Sequence, residues 1–135
     1  MIHFHTVDTK PGGLTTVGYW RFTKPDNGGD LIVEVARMND WRFMLSVYGH
    51  ELIEALYCWM FHVTTEVCDD WDNYYERLYE SGKVSPEVEP GHDPKCPYHW
   101  GHMGGVVWEY IAIYGTFASW KKYIDETNRV MEIGS

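Results

Sequence analysis

With 135 residues, 44% of them hydrophobic and 16% aromatic, the chain suits one domain with one core and excludes a disordered segment. A net charge of -9 excludes a nucleic-acid backbone or an anionic membrane surface as the main partner. Cys58, Cys68 and Cys96 make no paired framework and no signal peptide is marked, so the chain reads as cytoplasmic, in a host cytoplasm if the gene is viral.

Taken in order, residues 1–13 open with alternation, Ile2 and Phe4 against His3 and His5, and end in Lys-Pro-Gly-Gly: a short strand, then a turn. Thr15 to Thr23 is rich in Thr, Val, Tyr, Trp and Phe and predicts a strand. Lys24-Pro-Asp-Asn-Gly-Gly-Asp is turn chemistry, and Leu31 to Arg37 alternates, so residues 15–37 read as a β-hairpin. Asn39 or Asp40 caps a long helix at about 40–61. Thr64 or Thr65 caps the next, in which Val67, Trp71, Tyr74, Tyr75 and Leu78 form an apolar stripe apart from Asp69, Asp72 and Glu76. Residues 81–97 hold four of the six prolines and make a loop. A third helix is expected at about 99–114, and a short fourth at about 116–131 packs on the outside. The fold class is α+β: one domain over residues 1–135, with an N-terminal hairpin or small antiparallel sheet and a helical core over about 40–131.

Two of these helices carry the chemistry. From Phe43 to Phe61 the only imidazole or charged groups are His50, Glu51 and Glu54, in a helix apolar on nearly every side and therefore expected to be central and buried. At 3.6 residues per turn His50 and Glu54 share a face, with Glu51 about 100° around. From His99 to Trp120 the corresponding groups are His99, His102 and Glu109, the last two seven apart on one face. Buried carboxylates need a partner or a cation, so the two helices should face each other.

His50-Glu-x-x-Glu54 resembles the zincin signature H-E-x-x-H with Glu as its last ligand. Imidazole and carboxylate at i,i+4 chelate one Zn²⁺, and Glu51 would be the general base on a metal-bound water. A buried polar network is the alternative, with His102 bonding Glu54 and Asp69 or Asp72 bonding His50. A local zinc cluster of His92, Cys96, His99 and His102 is another. Glu51-x-x-Glu54 followed by Glu66-x-x-Asp69 or Asp69-x-x-Asp72 also resembles the Mg²⁺ signature of MazG-type nucleotide pyrophosphohydrolases, which are all-α.

Asn39-Asp-Trp-Arg, His50-Glu-Leu-Ile-Glu, Asp69-x-Trp-Asp72, Gly91-His-Asp-Pro-x-x-Pro-Tyr and His102 together resemble a group of small uncharacterised phage and bacterial proteins. The resemblance covers roughly residues 30–115 and implies a metal-site constellation of His50, Glu51, Glu54, Asp69, Asp72, Asp93 and His102, with no established activity. The chain departs from that pattern at His92, where Asp is expected, and at Cys68, where Val is expected. The expectation is a metal-dependent, hydrolase-like protein, with Zn²⁺ or another divalent ion as cofactor, acting on a small molecule or peptide. His50, Glu54 and His102 are its ligands, Glu51 its base, and Asp72 or Glu109 a fourth ligand or an orienting partner. The competing class is a non-enzymatic protein in which the cluster, or a structural metal, holds the fold together.

Overall fold

The middle strand of the sheet shows why the N-terminal third folds as it does. In strand β3 (Gly28–Ala36; β1 is Ile2–Val7 and β2 is Gly18–Lys24), Leu31, Val33 and Val35 alternate into the core while Ile32 and Glu34 point the other way. The computed structural model describes residues 1–14 and 16–134, so Thr15, the expected start of the hairpin, lies outside the described residues. Strands β2 and β3 pair antiparallel, from Gly18 against Val35 to Lys24 against Gly28, as the hairpin reading expects. Asp26 and Asn27 both take left-handed φ of 57° at the turn, a conformation that Asn and Asp tolerate. The buried Asn27 amide donates to the Cys58 and Val63 carbonyls at 3.2 and 2.8 Å, which ties the turn to the far end of the first helix.

Strand β1 alters the expected sheet. It pairs parallel to β3, from Ile2 against Leu31 to Val7 against Ala36, so the three-stranded sheet is mixed, in the order β1-β3-β2. Two reversals bring β3 back to the direction of β1, and β3 lies between the other two strands.

Asp40 caps helix α1 (Trp41–Met60), its carboxylate accepting from the Arg42 N–H at 2.9 Å. Thr64 caps α2 (Thr65–Glu80), accepting from the Val67 N–H at 3.3 Å. Helix α3 (His99–Gly115) follows the proline-rich loop. Helix α4 (Trp120–Gly134) begins later than expected, after a turn in which Phe117 takes a left-handed φ of 58°. It packs through Tyr123, Glu126 and Val130 while Lys121, Lys122 and Asp125 face solvent.

Two expectations need correction. Helix α2 buries Cys68 and Tyr75, with Trp71 and Leu78 half-buried, whereas Val67 and Tyr74 are exposed. Helix α1 is central but not enclosed: Leu45, Leu56, Trp59 and Met60 reach solvent. So short a chain has too few elements to cover every side of one helix. Among the described residues, no helix is long and apolar enough to cross a membrane.

Helix α1 lies against β2 and β3 on one side and α3 on another. Its approach to α3 is close because the contact residues are glycines. A Cβ on Gly49 would stand 1.8 Å from the Trp108 indole nitrogen, and one on Gly101 would stand 2.7 Å from Tyr57. Adding one methyl group at such a contact costs about 1–3 kcal/mol. Alanine recovers about 1 kcal/mol of helix propensity, so Gly101→Ala should lower stability by a net of up to about 2 kcal/mol in urea unfolding, with the slope of the transition unchanged.

Replacing the cap, Asp40→Ala, should cost about 1 kcal/mol. The Arg42 side-chain hydrogen bonds hold the Asp40 pKa below the usual carboxylate value, outweighing the opposing effect of burial. The contribution is therefore present at neutral pH and lost as pH falls through the acidic range. Urea midpoints of wild type and Asp40→Ala, measured from pH 7 down to pH 3, should converge.

Candidate metal centre

The seam between α1 and α3 holds the polar side chains picked out from the sequence. Helix α1 presents His50 and Glu54 one turn apart, and α3 presents His102 and Glu109 two turns apart. Gly105 makes room for them, since a Cβ there would lie 2.7 Å from the His50 ring. His50 and His102 meet edge to face with ring centroids 4.9 Å apart.

Glu54 sits at the middle. Its Oε2 lies 3.3 Å from His50 Nε2 and 3.2 Å from His102 Nδ1, and its Oε1 accepts from the Trp20 indole N–H at 3.1 Å. On its other nitrogen, Nδ1, His50 contacts Glu109 Oε2 at 2.9 Å, and Glu109 in turn accepts from the Tyr123 hydroxyl. The Nε2 of His102 faces Glu89 Oε2 at 2.9 Å and His92 Nδ1 at 3.1 Å. The result is one continuous chain: Tyr123, Glu109, His50, Glu54, His102, then Glu89 and His92.

Electrostatics follow from burial and pairing. Burial works against charge on both histidines, but the carboxylates outweigh it. Glu109 and Glu54 hold the His50 pKa up at about 11, and Glu54 and Glu89 hold His102 at about 9. Burial likewise opposes the Glu54 charge, and hydrogen bonds from His102 and His50 bring its pKa down to about 2. Glu51 goes the other way. Burial, reinforced by the Glu54 charge, lifts it to about 8, and among the described residues it receives no hydrogen bond. Its carboxylate packs under β2, where a Cβ on Gly18 would come within 2.7 Å of Oε1.

Two triplets of donor atoms lie close enough to hold an ion: His50, Glu54 and His102, and Glu89, His92 and His102. In the first, the carboxylate-to-imidazole separations of 3.3 and 3.2 Å match the edge of a tetrahedron. Such an edge is about 3.3 Å for ligands about 2.0–2.1 Å from zinc. Each donor also has a supporting partner: Glu109 behind His50, Trp20 behind Glu54 and Glu89 behind His102. A metal site needs that arrangement to fix its ligands.

The remaining expected residues are placed elsewhere. Glu109 orients His50. Asp72 accepts from the Tyr98 hydroxyl, its pKa lifted to about 6 by burial. Asp93 accepts from the Tyr75 hydroxyl and the Lys95 N–H, both at 2.9 Å. Asp69 is exposed. Cys96 and His99 join neither triplet, so the local four-residue zinc cluster does not assemble. Cys96 is buried, and His99 Nδ1 meets the Gly91 carbonyl at 2.8 Å. Cys68 sits 3.9 Å from Cys58, sulfur to sulfur, with both thiols free. Both triplets among the described residues mix imidazole with carboxylate, and the three-stranded sheet differs from the all-α fold of the MazG type.

Sequence reasoning did not find Glu89, Trp20 or Tyr123. Trp20 and Tyr123 are remote in sequence from their carboxylates, and Glu89, although three residues before His92, is 13 residues from His102 and stands in an exposed loop; only the isolation of Glu109 hinted that it needed a donor.

Removing one partner of a buried charged set costs about 3–5 kcal/mol. Glu54→Ala, which removes the carboxylate shared by both imidazoles and leaves each with one partner, should lower the melting temperature by many degrees, measured by circular dichroism. A melting curve equal to wild type would show that Glu54 does not hold the seam.

Comparison with known proteins finds no family model, no curated protein and no solved structure that matches the chain, so function has to be argued from these side chains.

Proposed function

We propose that the protein is a zinc-dependent, hydrolase-like protein whose ion is held by His50 Nε2, Glu54 Oε2 and His102 Nδ1. The observation that carries this reading is the first triplet: two imidazoles and a carboxylate on facing helices, with both carboxylate-to-imidazole separations at a tetrahedral edge and each group supported from behind. Three protein ligands leave a fourth position for water or substrate, as in hydrolytic zinc sites with two His and one Glu. Zinc there supplies Lewis acidity and a bound water acidic enough to ionise near neutral pH.

The chain's own residues divide the remaining work. Glu109, held by Tyr123, fixes the His50 ring with Nε2 towards Glu54. Glu51 stands next to His50 on the same helix and is the residue placed to exchange a proton; burial raises its pKa to about 8, so the carboxylate that acts as base forms as pH rises towards that value. Trp20 holds the second Glu54 oxygen, so that Oε2 alone faces the histidines. The substrate class proposed is a small molecule or peptide. The acidic balance, -9 overall, disfavours polyanions. The resemblance of residues 30–115 to phage and bacterial proteins, with three free cysteines, supports a cytoplasmic setting.

One observation favours a non-enzymatic role for the same cluster. Two surface clefts, one lined by Asp8, Arg37, Asn39 and Arg129 and the other by Asp26, Trp59, Met60 and His62, lie away from it. Glu51→Gln separates the two readings because the amide is nearly isosteric. In a hydrolase, the variant should keep its fold and its zinc and lose about 10²–10⁴-fold in rate. The measurement is turnover of peptide, ester and phosphoester substrates with added Zn²⁺, wild type against variant. Full activity in the variant would remove Glu51 as base. A zinc-loaded wild type with no turnover would leave the cluster a structural role.

A further inference from the structure

The second triplet has a feature the first lacks. Glu89 Oε2, His92 Nδ1 and His102 Nε2 are all in mutual contact, at 2.9, 3.1 and 3.1 Å. Hydrogen bonds do not satisfy a triangle of this kind. If both nitrogens carry protons they both donate to Glu89, and the 3.1 Å contact between them opposes donor to donor. If only one is protonated, a nitrogen lone pair faces the carboxylate. If neither is, three lone pairs converge. A cation at the centre turns all three contacts favourable.

We propose that Glu89, His92 and His102 form a second divalent-cation site, a facial set of one carboxylate and two imidazoles that takes an octahedral first-row ion. The spacing favours octahedral geometry: adjacent donors about 2.1 Å from the ion lie about 3.0 Å apart, shorter than a tetrahedral edge. The donor set is the two-histidine, one-carboxylate face associated with divalent iron and its neighbours, with three further positions left open. Those positions have access to solvent, since the Glu89 and His92 side chains are 59% and 44% exposed while His102 beneath them is 9% exposed.

The loop is fixed where such a site needs it. Pro90-Gly91 forms a short turn between Glu89 and His92. The Pro90 carbonyl accepts from the Trp71 indole at 3.0 Å, and the Gly91 carbonyl meets His99 at 2.8 Å. Gly91 lies so close on the His102 ring that a Cβ there would come within 2.3 Å of it, so a glycine lets the loop seat on the imidazole. From below, Glu54 Oε2 lies 3.2 Å from His102 Nδ1, where it can accept the Nδ1 proton when an ion takes the Nε2 lone pair. This second site rests on its own three atoms and does not require an ion at the first.

The test is titration of the full, metal-stripped chain with Co²⁺, followed by calorimetry and visible absorption. Octahedral cobalt gives weak bands and tetrahedral cobalt intense ones. Wild type should show an uptake event with weak bands. Glu89→Gln and His92→Ala should each weaken that event by more than about a hundredfold, beyond the upper end of what loss of a supporting partner alone costs. Both positions are exposed enough to change without opening the core, and circular dichroism checks the fold. His50→Gln should leave the weak-band event in place. Uptake that responds to His50→Gln but not to Glu89→Gln or His92→Ala overturns the second site and leaves the first standing. Uptake that responds only at Glu89 and His92 supports the second and removes the first. No uptake in wild type removes both.

Discussion

The fold depends on one buried carboxylate being shared between two imidazoles. Glu54 Oε2 reaches His50 on its own helix and His102 on α3, while Oε1 takes the Trp20 indole of β2. One side chain thus connects the sheet and both central helices. Charge buried without such partners would cost several kcal/mol, a large share of a small domain's stability. The aromatic and aliphatic residues around it supply most of the burial, but they would tolerate several arrangements of the helices. Glu54 with its histidines tolerates one, because each hydrogen bond has a required distance and direction.

That arrangement requires the helices to come close, and glycine is how the chain allows it. Gly49 on α1 admits the Trp108 indole, and Gly101 and Gly105 on α3 admit Tyr57 and His50. Glycine in a helix interior costs about 1 kcal/mol relative to alanine. The recovered energy is packing of large rings against bare backbone, plus the polar seam that the approach makes possible. A helix α3 built from better helix formers would stand further out, and His102 would no longer reach Glu54.

What was legible in the sequence is what is local. The β2–β3 hairpin follows from turn residues between two alternating runs, and the caps of α1 and α2 from Asp40 and Thr64 standing just before apolar periodicity. The convergence of His50, Glu54 and His102 was readable because isolated polar groups in apolar helices must find one another. The parallel placement of β1 was not readable, since nothing in its six residues records which edge it joins. Glu89 was hidden in the same way. It sits among exposed loop residues, and only the fold of Pro90-Gly91 onto the His102 ring carries it to the seam. Cys96 and His99 misled because close spacing in a loop and the start of a helix says little about direction; the loop sends one thiol into the core and the helix turns one ring onto a carbonyl.

His102 joins the two triplets, and its chemistry limits how they can act together. A neutral imidazole has one lone pair and one N–H. With the proton on Nδ1, the ring donates to Glu54 and offers Nε2 to Glu89 and His92; with the proton on Nε2, the roles reverse. An occupant on one side therefore selects the tautomer that suits a carboxylate on the other. Filling both sides at once requires the ring to give up its last proton, which one ion alone does not demand. So the carboxylate that supports His102 in one state would be a ligand in the other. Glu54 and Glu89 hold equivalent positions about the same ring, one buried in the seam and the other open to solvent.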